Sequence, residues 1–165
     1  MNPNDQINPL LRHLQKDARS TPETLAAMFD GSEAAINEQI ARWEKDGTIL
    51  GYHAVLDLDK AGSTAVRAHI AIDLVPERGG GFDQLASRIA RFEEVKDCFL
   101  MSGGYDLLVV IEDASLREVA QFVAEKVSTI DGVNSTTTSF QLKGYKQNGF
   151  LTEQEAADER LPVTP

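Results

Sequence analysis

"GSEAAINEQIARWEKDG", residues 31–47, is the stretch on which the fold turns. Ser32 stands where a helix N-cap belongs, and Gly47 stands where a left-handed stop belongs. Between them Ile36, Ile40 and Trp43 recur at spacings of four and three, one apolar stripe on a helix. Ser32, Glu33, Ala34, Asn37, Glu38, Ala41, Arg42 and Lys45 face outward. The stretch carries four acids (Glu33, Glu38, Glu44, Asp46) and two bases (Arg42, Lys45).

Two further helices precede it. Ile7, Leu10, Leu11 and Leu14 make an apolar stripe, with Pro9 suited to the first turn. In "RSTPETLAAMF", Ser20 or Thr21 caps, Pro22 takes the first helical position, and Leu25, Ala26 and Phe29 face inward. "DG" at 30–31 is a turn. After the third helix, "TILGYHAVLDLD" alternates apolar and polar around Gly51, which fits a two-stranded wing or an extended linker strand. Three short helices and a hairpin in about sixty residues is a winged helix-turn-helix pattern.

A second unit follows "DKAGS". Val66, Ala68, Ile70, Ile72 and Leu74 alternate with Arg67, His69, Ala71 and Asp73, a strand with one wet face. "PERGGG" (76–81) is a loop, and no Lys-Ser/Thr follows it to make a phosphate cradle. Phe82, Leu85, Ile89 and Phe92 form a helical stripe. "VKDCFLMS" and "YDLLVVIE" read as two strands around Gly103 and Gly104. Ser115 and Glu118 form a capping box, and Leu116, Val119, Val123, Val127 and Ile130 continue that helix. "VNSTTTSFQL" is a closing strand. The order βαββαβ predicts an α+β chain, a winged helix-turn-helix followed by a ferredoxin-like domain. The expected domains are residues 1–62, residues 63–146, and a flexible acidic tail over 147–165.

The chain has 165 residues and a net charge of −10. Bulk charge of that sign does not draw a protein to nucleic acid, so any DNA contact must come from a local patch. There is no 18-residue apolar run and no signal-peptide core in "MNPNDQINPLLRHLQ", so a cytoplasmic location is expected. Cys98 is the one cysteine. It reads as a small core residue, and neither a metal nor a cofactor is expected.

Four stretches in register resemble the Lrp/AsnC family, the leucine-responsive and feast/famine transcription regulators. They are "LLRHLQKDARSTPETLAAMF", "WEKDGTILGYHAVLDLDKAG", "MSGGYDLLVVIE" and "DGVNSTTTSFQLKGYK". The likeness covers about residues 4–146. It implies a DNA-binding domain joined to a domain that senses a small effector, often an amino acid, in a cleft between dimers. It also implies homodimers built through the effector-domain sheet and often assembled further. The sequence agrees with a dimer: "LLVVI" (107–111) is apolar on both faces of its strand, as if covered on both sides.

The third helix departs from the family pattern. Where these regulators usually carry an arginine just before the apolar Ile/Val, this chain has Gln39. Asn37 and Gln39 suit bidentate contact with adenine, and Glu33 or Glu38 can accept from cytosine. Phosphate contacts then fall to Lys16, Arg19 and Arg12, to the amides of Ser32–Ala34, to Arg42 and to the wing. The plainer reading is a solvated face with no base contact.

The effector site implied is "SGGYD" with the last strand. Amides of Ser102, Gly103, Gly104 and Tyr105 would receive a carboxylate, Asp106 an ammonium, and Thr136 and Thr138 would offer hydroxyls. The plainer reading is a hairpin turn, with Asp106 capping the loop and the threonines chosen for strand propensity. Two other functions remain open. One is a sirohaem-decarboxylase-like enzyme, for which Arg67, His69, Arg88 and Arg91 would be the candidates. The other is a ligand-sensing assembly module without specific DNA binding.

Overall fold

The computed structural model describes residues 7–75 and 81–152. The chain divides into two compact units, residues 1–54 and 55–165.

The first unit is three helices: α1 (Pro9–Lys16), α2 (Pro22–Met28) and α3 (Glu33–Asp46). Each begins where its sequence supplies a cap. Asn8 accepts from the Leu10 amide, Thr21 from that of Thr24 and Ser32 from that of Ala35. Gly47 ends α3 at φ 78°, a left-handed value that a side chain would oppose. Leu10, Leu14, Leu25, Ala26, Ile36 and Trp43 form the core, with Leu11, Phe29, Ile40 and Ile49 packed against it.

No wing is formed. Residues 51–57 carry no strand and pair with nothing in a sheet, so neither a wing nor a linker strand is formed there. The stretch lacks a two-residue turn on which to fold back. Leu50, Tyr52 and Leu56 are exposed.

The second unit is a four-stranded antiparallel sheet in the order β2-β3-β1-β4, built from β1 (Val66–Leu74), β2 (Val95–Leu100), β3 (Leu107–Asp113) and β4 (Val133–Phe140). Helices α4 (Asp83–Ile89) and α5 (Leu116–Phe122) complete the ferredoxin-like βαββαβ order. In register, Ile70 lies opposite Val109 on one side and Thr138 on the other. The helix-covered face holds Ala68, Ile70, Ile72, Leu107, Val109 and Ile111, all without solvent exposure, with Ile89, Val119, Phe122, Val127 and Ile130 from the helical layer. Leu116, read as inward, is exposed. A π-helical turn (Val123–Val127) continues α5. Val119, Val127 and Ile130 reach the core as expected, Val123 packs against it, and Phe122, three residues after Val119, joins them. Cys98 is half-buried against that core, and burial raises its thiol above the ordinary range.

Two expected boundaries shift. Residues 55–62 belong with the second unit. Residues 147–152 are not plain tail: β5 (Lys146–Gln147) and β6 (Phe150–Leu151) form a small hairpin, turned by Asn148 at φ 47° and Gly149 at φ 92°. Asn and Gly tolerate those angles, and "QNGF" is a hairpin signal that a compositional reading passes over. Most of "PERGGG" lies outside the described residues, as does the acidic stretch after Thr152.

Candidate functional site

On α3 the charges separate by face. Ile36 and Trp43 are buried. At about 100° per residue, the opposite side carries Ala34, Asn37, Glu38, Ala41, Arg42 and Lys45, and all six are exposed. Gln39 is half-buried, turned from this stripe towards the core side. Ser32 and Glu33 lie at the exposed N-terminal end, where an acid favours the macrodipole.

Of the four acids, Glu38 lies mid-stripe, Glu33 and Glu44 share the Asn37 edge at four and seven residues from it, and Asp46 lies on the other flank. Glu44 accepts from the Tyr52 hydroxyl at 3.1 Å. Burial and that carboxylate both raise the phenol above its ordinary range. Asp46 accepts from the Thr48 amide at 2.9 Å, and its bonds to the Thr48 hydroxyl and amide hold it below the usual carboxylate range. Glu33 sits at the helix start. Only Glu38 is central, and its Oε1 lies 2.5 Å from the Arg42 guanidinium. The middle of the exposed stripe thus has one acid, already paired, and two bases, with Glu33 and Glu44 along its edge. Ala34 and Ala41 flank it with no bulk to hold a partner surface away.

Lys16 and Arg19 are exposed on other elements, at the end of α1 and in the turn before α2. That turn is fixed by a network the sequence reading missed. Asp17 accepts from the Arg19 amide at 3.0 Å and from the Ser20 hydroxyl at 2.9 Å. The Arg19 amide first, then Ser20, hold the Asp17 carboxyl low. His13 Nε2 lies 2.8 Å from Ser20 Oγ. Since the Ser20 proton goes to Asp17, His13 is the donor. An Asp three residues before a Ser is a turn signal that could have found it.

The effector candidates are less united. Ser102, Gly103 and Gly104 are exposed, and Tyr105 and Asp106 half-buried. Asp106 is bound into the sheet end: its Oδ2 accepts from the Leu74 amide at 2.7 Å, its amide donates to Ile72, and its carbonyl accepts from Met101. Thr136 and Thr138 lie opposite Ile72 and Ile70, hence on the helix-covered face, with β1 between them and β3. Within one protomer Asp106 and the two threonines therefore do not converge. A cavity of about 320 Å³ lies at the other end of β1, lined by Lys60, Ser63, Arg67, Gln141 and Lys143 among others. Of the residues weighed for the enzyme reading, Arg67 pairs with Glu112 at 3.0 Å and His69 lies 3.3 Å from Gln141. Arg88 is on α4, and Arg91 just beyond it.

Asp106→Ala should lower stability by about 1–3 kcal/mol, because the Leu74 amide, in a buried residue, loses its acceptor. Amide exchange at Leu74 is the direct readout. Unchanged protection there would show that the carboxylate is not holding the sheet end.

The Lrp/AsnC ligand binding domain family matches residues 67–151. The HTH-type transcriptional regulator YugG of Bacillus subtilis (strain 168) is 43% identical over 157 residues, covering 94% of this chain and 95% of that protein. The leucine-responsive regulatory protein of Haemophilus influenzae is 28% identical over 142 residues, covering 86% of this chain and 85% of the relative. Among solved structures, a feast or famine regulatory protein from M. tuberculosis complexed with L-methionine has a TM-score of 0.65 at 25% identity, covering 84% of this chain and 90% of that one. These relatives are regulators, which sets the decarboxylase alternative aside. No helix among the described residues is long and apolar enough to cross a membrane. With the ligand-binding domain matched over half its length and a regulator matched nearly end to end, the chain belongs to the Lrp/AsnC family of transcriptional regulators.

Proposed function

We propose that the chain binds specific duplex DNA through the exposed stripe of α3, and that a small amino-acid-like effector tunes that binding. The observation that carries this reading is the separation of charge on α3. Glu44 and Asp46 are tied to Tyr52 and Thr48, leaving Asn37, Glu38, Arg42 and Lys45 beside two alanines on the side away from the core. Asn37 suits adenine, and Arg42 and Lys45 suit phosphate or guanine. Lys16, Arg19 and the amides at Ser32–Ala34 add backbone contacts.

The effector is assigned to the loop 102–106. A Cβ built at Gly103 or Gly104 would meet nothing within 4 Å, and neither residue has a positive φ. The chain's own packing therefore does not require glycine there, whereas close approach of a ligand or a second copy would. Amides of Ser102–Tyr105 would receive a carboxylate. Asp106 keeps one oxygen beyond its bond to Leu74 for an ammonium. Thr136 and Thr138 join such a site only if a neighbouring protomer brings its own. The L-methionine complex of the M. tuberculosis relative supports an amino acid as the class.

A second copy fits the sheet face away from the helices, where Phe99 is 51% exposed and Leu108 half-buried. Such a homodimer, assembled further, would multiply weak contacts from each acidic subunit. The test is binding to the DNA upstream of its own gene with each L-amino acid added in turn. At least one should change the apparent affinity several-fold; a complex indifferent to all of them would remove the effector half of the proposal.

A further inference from the structure

We propose that Glu38 is a specificity residue, accepting a hydrogen bond from the exocyclic amino group of a cytosine in the major groove and rejecting DNA that lacks it. This rests on α3 being the DNA-contacting helix. Glu38 lies mid-stripe, between Ala34 and Ala41, which carry nothing past Cβ. It is the long polar side chain that a groove floor meets first. In the protein alone it pairs with Arg42, one turn on, and both side chains stay more than 60% exposed, at 66% and 63%. Water screens such a pair, so stability gives little reason for an acid in that place.

Against DNA the same carboxylate is costly almost everywhere. It faces phosphates, guanine O6, thymine O4 and the purine N7 atoms, all of them acceptors; adenine N6 also donates, but beside its N7 acceptor, whereas cytosine offers N4 as a donor alone. An ionised carboxylate has no proton to offer. It is relieved where a cytosine N4 amino group donates to it. Arg42 stays within reach to neutralise the pair or to turn to guanine or a phosphate. The gain at the right base and the repulsion at wrong ones both widen the difference between specific and non-specific binding. A chain of charge −10 thus gives up affinity for DNA in general and keeps it at its site.

The test uses the full-length protein and Glu38→Gln, with Glu38→Ala to separate the lost carboxylate from the gained amide. Both changes are at an exposed position, and unchanged melting temperatures will verify the fold. Wild-type protein selects from a pool of random duplexes, and each C·G in the selected site is then replaced by T·A. Wild type should lose about tenfold or more in affinity at one such position per half-site. Both variants should lose that preference and bind scrambled DNA more tightly. Their salt dependence should steepen by about 0.9 if the freed Arg42 gains one phosphate. Variants that keep wild-type discrimination at every position would overturn the role of Glu38 while leaving DNA binding intact. A wild type that selects no sequence would remove the DNA reading, and this inference with it.

Discussion

Gly132→Ala should lower the melting temperature of the effector domain by about 10 °C or more. Gly132 precedes β4 at φ 92°, where a side chain is strained by about 1–2 kcal/mol. An added Cβ would also lie 2.7 Å from Leu85 Cδ1. Leu85 is in the core beneath the sheet, so its methyl has little room to turn away. Overpacking of this kind costs about 1–3 kcal/mol. Together these make about 2–5 kcal/mol, and each kcal/mol is roughly 4–8 °C for a domain of this size. Gly62→Ala is the control. It has a similar φ of 73° with nothing within 4 Å, so it should show the strain without the clash. Equal effects at the two positions would mean that Leu85 moves freely and the contact is not tight.

The second large effect is on DNA. Ala41→Glu should weaken binding about a hundredfold at low salt while leaving the fold unchanged. Ala41 is exposed at the middle of the α3 stripe, and glutamate is a good helix former. The new carboxylate stands three residues from Glu38 and four before Lys45. It would pair with Lys45 as Glu38 pairs with Arg42, so both stripe cations would be held within the helix. The stripe would then present two acids to phosphate. Circular dichroism and a melting curve should match wild type. Undiminished binding would move the interface off α3.

What the sequence disclosed and what it hid follow from the range of the interactions. Caps are local, so Ser32, Gly47 and Ser115 could be read directly and the cap of α2 narrowed to Ser20 or Thr21; the structure has Thr21 and the other three in those roles. The alternation along β1 was equally legible, because one face of that strand is wholly buried, and the run 107–111, read as apolar on both faces, is buried at four of its five positions. The wing was misread because alternation cannot say whether a strand has a partner. The hairpin at 146–151 was hidden because the acids that follow it colour residues 147–165 as a tail by composition, while "KQNGFL" itself holds none. At the candidate sites the residue types were visible but their neighbours were not. The four acids of "GSEAAINEQIARWEKDG" look alike in sequence. Only the fold sends Glu44 to Tyr52 and Asp46 to Thr48 and leaves Glu38 on Arg42. Likewise Asp106 was read as a ligand group, while its bond to Leu74, 32 residues away in sequence, depends on β1 lying beside β3.

If this acidic chain reads specific DNA through the exposed stripe of α3, sequence preference and salt dependence should appear together. The most direct measurement is its affinity for the DNA upstream of its own gene and for a scrambled duplex, across about 50 to 200 mM salt. Both affinities should fall as salt rises, with the upstream site preferred throughout. Equal affinities for the two duplexes at the lowest salt would contradict that reading.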